Sequence, residues 1–278
     1  MKPKKTYYYF DALADDFAGT KITRKTLPES FKYAHKDILS RFFSWFLYWV
    51  FAIPILYLAI KLLYGIRIRG KKNLRHTRRK AMFFYTNHTQ IIDAMLIQLY
   101  VSGPRRCYIV ADQDATSIPG IRYLVQLLGA IPVPETPKQH TDFVECIRHR
   151  VKQKRAISIF PEAHIWPYYT HIRPFSDASF VYPAELNVPA CPVCVTYRRR
   201  KFRKSAPPVM TVHIGKPVYP DLTLSIPERK KKMRDEVYIF MRDMSADCVN
   251  DEYIRYVKVD SPEEAKKKNE EAGNKAAK

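Results

Sequence analysis

The chain of 278 residues and 32.6 kDa carries 48 Lys+Arg against 27 Asp+Glu, a formal charge of +21, with 46% hydrophobic and 13% aromatic residues. That apolar content excludes a disordered polyelectrolyte and suits one principal domain, leaving an anionic membrane surface, a nucleic acid or an acidic ligand as reasons for the charge. Five cysteines at 107, 146, 191, 194 and 248 are too sparse and odd in number for a secreted disulfide framework and point to a reducing, intracellular setting.

Residues 1–40 form a polar lead-in with Tyr7, Tyr8 and Tyr9 and the acidic pair Asp15 and Asp16. Phe42 to Ile60 then runs 19 residues without a charge, long enough for a membrane span and too far from the start for a cleavable signal peptide. Nine Lys/Arg lie in residues 1–41 and nine more in 61–80, so neither flank is a natural outside flank. Pro54 removes a backbone donor in mid-segment. The pattern therefore favours, over a simple span, a bent helical hairpin or monotopic element in segment 41–64, embedded from the cytoplasmic side of the cell membrane, its basic flanks on anionic headgroups.

Beyond it, residues 66–70 alternate like a short strand, and residues 81–86 (AMFFYT) form a compact apolar run suited to a buried strand before a helix over 91–99. Strands are expected at 107–111, 156–160, 193–197 and 209–214, with helices at 121–128, 143–152 and from Pro227 onward. This alternation predicts an α/β domain over residues 65–250 with a mostly parallel sheet flanked by helices. The extension 251–278 ends in a segment from Pro262 without aromatic or β-branched residues, expected to be disordered.

At the first strand-to-helix turn stands Asn87-His88, with Asp93 five positions after the histidine. On one continuous helix these side chains would lie ~140° apart, but they can meet if His88 is in the turn. The carboxylate would then set the imidazole tautomer, leaving the other ring nitrogen to take a proton from a hydroxyl. A capping Asn87 followed by an exposed histidine is the plainer reading of the spacing alone. Phe160-Pro161-Glu162-Ala163-His164 follows another expected strand, where α/β folds gather ligand-binding groups, although Glu162 would also serve as a simple cap.

Taken together, these blocks resemble the glycerolipid acyltransferase (PlsC-like lysophospholipid acyltransferase) superfamily, with its N-H-x4-D and F-P-E-G motifs. Residues 117–133 (SIPGIRYLVQLLGAIPV) and 188–193 (VPACPV) match its middle and fourth blocks in order, so the likeness covers roughly residues 41–250. The resemblance implies a membrane-bound O-acyltransferase. His88, oriented by Asp93, would deprotonate the hydroxyl of a lysophospholipid or related amphiphile for attack on a thioester. The donor would be acyl-CoA or acyl carrier protein as cosubstrate, with no cofactor and no metal. Asn87, Pro161, Glu162, His164, Arg122 and Arg173 are the candidate substrate-binding residues. The chain departs from the family at Glu135 and Ile165, where phosphate-binding arginines are usual, and at Ala163, where the family has glycine. Arg122, Arg173, His164 or His171 are the available substitutes.

Other signals are weaker. Residues 65–72 approach a phosphate-binding loop but place Lys72 at the magnesium-binding position. Cys191 and Cys194 sit in an expected buried strand, and the His164 to His171 spacing matches no common zinc motif. The charge clusters around the apolar segment and at Arg229 to Arg234, which argues for membrane lipids rather than nucleic acid as partners. The alternative is a catalytically silent lipid-binding protein of the same fold.

Overall fold

The computed structural model describes residues 4–19, 27–33, 37–113, 122–201, 206–248 and 251–276. Seven strands form the main sheet: β2 (Arg67–Arg69), β3 (Met82–Thr86), β4 (Cys107–Ala111), β5 (Ala130–Pro132), β6 (Ala156–Ile159), β7 (Ala190–Arg198) and β8 (Val209–Ile214). Their spatial order is β2-β8-β7-β3-β6-β4-β5. Every pair is parallel except β7 with β8, so the expected α/β fold with a mostly parallel sheet is present. β3 is buried at all five positions, because both faces are covered and a parallel strand there needs no alternation. One face packs Phe83, Tyr85 and Ile157 against Met233, Val237 and Met241 of the helix Ile226–Asp247. The other packs Phe84, Val193 and Val212 against Leu96, Ile97 and Ile60.

The apolar segment forms one helix, α1 (Ile38–Tyr64), about 40 Å long at 1.5 Å per residue. No hairpin forms, which corrects one of the two expected shapes. The chain widens into a π-helical stretch over Leu47–Ala52, where the Ile53 N–H reaches back to the Tyr48 carbonyl. Pro54 thus enters in the first turn of the following α-helical stretch, where its missing donor is tolerated. The helix stops at Gly65, whose φ of +55° a side chain would resist, with a Cβ 2.6 Å from Val209.

α1 lies along the domain rather than projecting from it. Ser40 meets Tyr123, Ser44 Oγ donates to the Leu127 carbonyl, Tyr48 is buried, Tyr100 OH donates to the Tyr57 carbonyl, and Ile60 joins the core. Leu39, Phe43, Val50, Ile55, Leu58 and Leu62 of the same helix are exposed.

The polar lead-in and the C-terminal extension meet in a second sheet, where β1 (Lys5–Tyr9) pairs in parallel with β9 (Ile254–Lys258). The expected disorder after Pro262 is also corrected, since Pro262–Ala276 is a helix. Ser261 Oγ accepts the Glu264 N–H at its start, and Glu264 pairs with Lys268 one turn later. The Asn269 amide bonds both main-chain groups of Tyr8 at 2.9 and 2.8 Å. The partner that orders this polar tail thus lies 261 residues away in sequence.

Candidate active site

The turn between β3 and the short helix Asp93–Leu96 is built around one carboxylate oxygen. Asp93 Oδ2 accepts the main-chain N–H of Thr89 at 2.6 Å and of Gln90 at 2.7 Å, and the Thr89 hydroxyl at 3.3 Å. These bonds curl residues 88–90 back over the helix start, so His88 lies in the turn and its Nδ1 faces the same oxygen at 3.5 Å. Asp93 is wholly buried, whereas the His88 side chain keeps 14% of its surface exposed. Its ring stacks on Phe160, centroids 4.1 Å apart and planes within 21°. Nε2 has no hydrogen-bond partner among the described residues. The arrangement offers a reachable nitrogen able to take a proton and a buried carboxylate able to steady the resulting charge.

Glu162 lies beyond β6, adjacent to β3 in the sheet. Phe160 to Ala163 form a turn closed by the Ala163 N–H on the Phe160 carbonyl, with Pro161 at its second position. The turn aims Glu162 inward, where Oε2 accepts the His88 N–H at 3.3 Å and Oε1 the Arg173 N–H at 3.0 Å. The Arg173 guanidinium meets Oε2 at 3.3 Å, both side chains only 1% exposed. Burial pushes the Glu162 carboxyl up, against the pull of Arg173 and of the two N–H donors. Trp166 and Tyr168 donate their N–H groups to the His88 and Thr89 carbonyls, so the loop after Glu162 is zipped to the histidine turn.

Several residues expected to touch substrate hold the site together instead. The Asn87 amide donates to the Val195 carbonyl and accepts the Val195 N–H, tying the end of β3 to β7, and the residue is 1% exposed. Pro161 shapes the turn. Arg173 is spent on Glu162, the Ala12 carbonyl and the His164 carbonyl while stacking on Trp166, so it does not replace a missing phosphate contact. His164 faces Asp16 of the lead-in at 3.8 Å. Arg122 begins the helix Arg122–Leu128, but its side chain and residues 117–121 of the middle block lie outside the described residues.

Two features escaped sequence reasoning. Tyr197 on β7 bonds the Thr89 hydroxyl at 2.6 Å and so extends the chain from Asp93 across the sheet, a residue that no motif marks. The lead-in also crosses the third block: Trp166 Nε1 donates to the Asp15 carbonyl, and the Phe17 N–H to the Ile165 carbonyl. Trp166 is packed among Tyr9, Phe17 and Tyr256 of the two termini.

The sequence profile of the family described as Acyltransferase matches residues 65–196. This region is an acyltransferase-family domain. The matched residues include both the histidine turn and the Glu162 turn. The crystal structure of the 1-acyl-sn-glycerophosphate (LPA) acyltransferase PlsC from Thermotoga maritima is similar over 77% of this chain and 98% of that one. The TM-score is 0.50 and the identity 15%, a likeness of fold. Comparison with curated proteins gives no match. The matched region carries glutamate at 135 and isoleucine at 165.

Proposed function

We propose that the protein is a membrane-bound O-acyltransferase that moves an acyl chain from a thioester, acyl-CoA or acyl carrier protein, to the hydroxyl of a lysophospholipid or related amphiphile. The observation that carries this reading is the partly exposed His88 side chain, backed by the buried Asp93 through Nδ1. Nε2 takes the proton of the acceptor hydroxyl as its oxygen attacks the thioester carbonyl, and the carbon–sulfur bond then breaks. The proton held on His88 goes to the departing thiolate, so the free thiol leaves and the histidine returns neutral. Glu162, fixed by Arg173, steadies the main chain beneath His88 rather than contacting the acceptor. With Glu135 and Ile165 at the usual arginine positions and Arg173 consumed internally, the reading favours an acceptor whose head is not gripped there as a phosphomonoester.

The long apolar outer face of α1 and its side-on packing support an element lying in the leaflet, with the domain on the cytoplasmic face of the cell membrane. The test is to incubate wild type and His88→Ala with acyl-CoA and a mixed lysolipid extract, following free thiol and acylated products by mass spectrometry. Wild type is expected to form product, with turnover about 10²–10⁴-fold slower in the variant. Undiminished turnover in His88→Ala overturns the assignment. No turnover by wild type, with carrier-protein donors also supplied, returns the silent lipid-binding reading.

A further inference from the structure

A cavity lies on the side of the sheet away from His88, at the N-terminal ends of β4, β5 and β6. Its volume is about 760 Å³, the size of a ligand site. Its polar wall holds Arg106, Arg150 and Arg155, with Arg41 on α1, and among the described residues no Asp or Glu lines it. Arg106 is 8% exposed and lies against the rings of Tyr48 and Tyr108, 4.7 and 5.0 Å away, while Arg150 covers Tyr108 at 4.2 Å. The Nε of each of these three arginines is buried with no partner. Arg106 donates to the Leu127 carbonyl, Arg150 to the Gln153 side chain with the Cys146 thiol also beside it, and the Arg155 guanidinium has no hydrogen bond or ion pair among the described residues.

Burial lowers the Arg106 pKa, and the charges of Arg150 and Arg155 add to that effect. Three cations gathered without a carboxylate repel one another, an arrangement that an anion would relieve. Guanidinium forks are suited to phosphate oxygens. The facing wall is apolar, made of Ile38, Phe42, Trp45 and Trp49 of α1. A second cavity of about 420 Å³ shares Ser40 and Leu127 with the first and is otherwise lined by residues such as Leu39, Phe43, Phe46 and Phe51. Inorganic phosphate alone would leave this apolar space unused, and a zwitterionic headgroup would bring an ammonium to a cationic wall.

We propose that the two cavities form one binding site for an anionic phospholipid, its phosphate on Arg106, Arg150 and Arg155 and an acyl chain in the apolar cavity against α1. β6 separates this site from Glu162, with Arg155 before its first residue and Glu162 beyond its last, so the bound lipid is not the acyl acceptor. It joins α1 to the sheet, and its binding does not depend on acyl transfer.

The experiment uses the full chain in detergent micelles and tryptophan quenching by lipids with brominated chains, since two of the three tryptophans, Trp45 and Trp49, line the site. Brominated phosphatidylglycerol is expected to quench at about tenfold lower mole fraction than brominated phosphatidylcholine, the equivalent of one charge-assisted contact. Arg155→Gln, which removes a side chain without protein partners, is expected to abolish that preference while leaving the circular-dichroism melt unchanged. Arg150→Gln provides an independent second variant with the same expected loss. Equal quenching by the two lipids overturns the proposal, as does a preference that survives in both variants. Calorimetric binding of inorganic phosphate without lipid preference also overturns it and leaves a free-phosphate site.

Discussion

At the C-terminal ends of β3 and β6, Asp93 holds main-chain N–H groups and Glu162 holds both those and Arg173. At the N-terminal ends of β4 to β6, by contrast, Arg106, Arg150 and Arg155 share a cavity that no carboxylate among the described residues lines. In the first region the chain supplies each acid with partners, so the histidine turn is set before any substrate arrives. In the second it supplies one sign only, and the complement must come from outside. The physical lesson is that preorganisation and ligand dependence are distinguished by where the counter-charge is covalently encoded.

The comparison can be broken at several points. The largest effect is the loss of turnover in His88→Ala, which tests whether the preorganised end is catalytic. Next comes stability. Arg173→Ala leaves Glu162 buried without its cation and is expected to cost about 3–5 kcal/mol in urea unfolding, whereas Arg155→Gln is expected to stay within about 0.5 kcal/mol of wild type. Equal losses would erase the distinction between the two ends.

A smaller effect sharpens the account of the Glu162 turn. Ala163 holds φ at +62°, a left-handed conformation that penalises any Cβ, at the position where glycine is usual in the family. Ala163→Gly is expected to raise stability by about 1 kcal/mol, part of the strain relief being offset by the greater freedom of glycine in the unfolded chain. A destabilised variant in the same unfolding assay would refute strain at this turn.

The smallest effect concerns a buried histidine on β8. His213 is buried beside Thr196, 2.9 Å from its Nε2, and burial followed by the nearby Arg69 charge lowers its pKa. The unfolded histidine, with a pKa near ~6.5, therefore binds the proton more readily than the folded one. Stability is full above that value and falls as the pH drops through it toward the folded pKa. Melting temperatures between pH 7.5 and about 5 are expected to decline, and His213→Gln is expected to flatten the decline. An unchanged slope in the variant would place the titration elsewhere.

Much of the domain was legible from local pattern. The run AMFFYT had to be a buried strand, and β4 and β8 begin and end where their apolar stretches do. The positions of His88 and Asp93 on either side of a strand-to-helix turn were readable because spacing forbids their meeting on a continuous helix. Less legible were roles that depend on a distant partner. Asn87 and Arg173 have the side chains of substrate-binding residues, yet Val195, Glu162 and the Ala12 carbonyl occupy them. The polar tail was misread because composition reports the lack of an apolar face but not an amide clamp on Tyr8.

By itself, then, the sequence determined the alternating α/β order, the long apolar helix and the chemistry available at the two motif turns, since these follow from periodicity and residue type within a few positions. Only the tertiary structure decided that α1 is one helix laid along the domain, that the termini pair over the Glu162 loop, and that three arginines converge on one cavity. Those outcomes rest on contacts between residues far apart in the chain, where burial and hydrogen-bond satisfaction select a partner that no local pattern names.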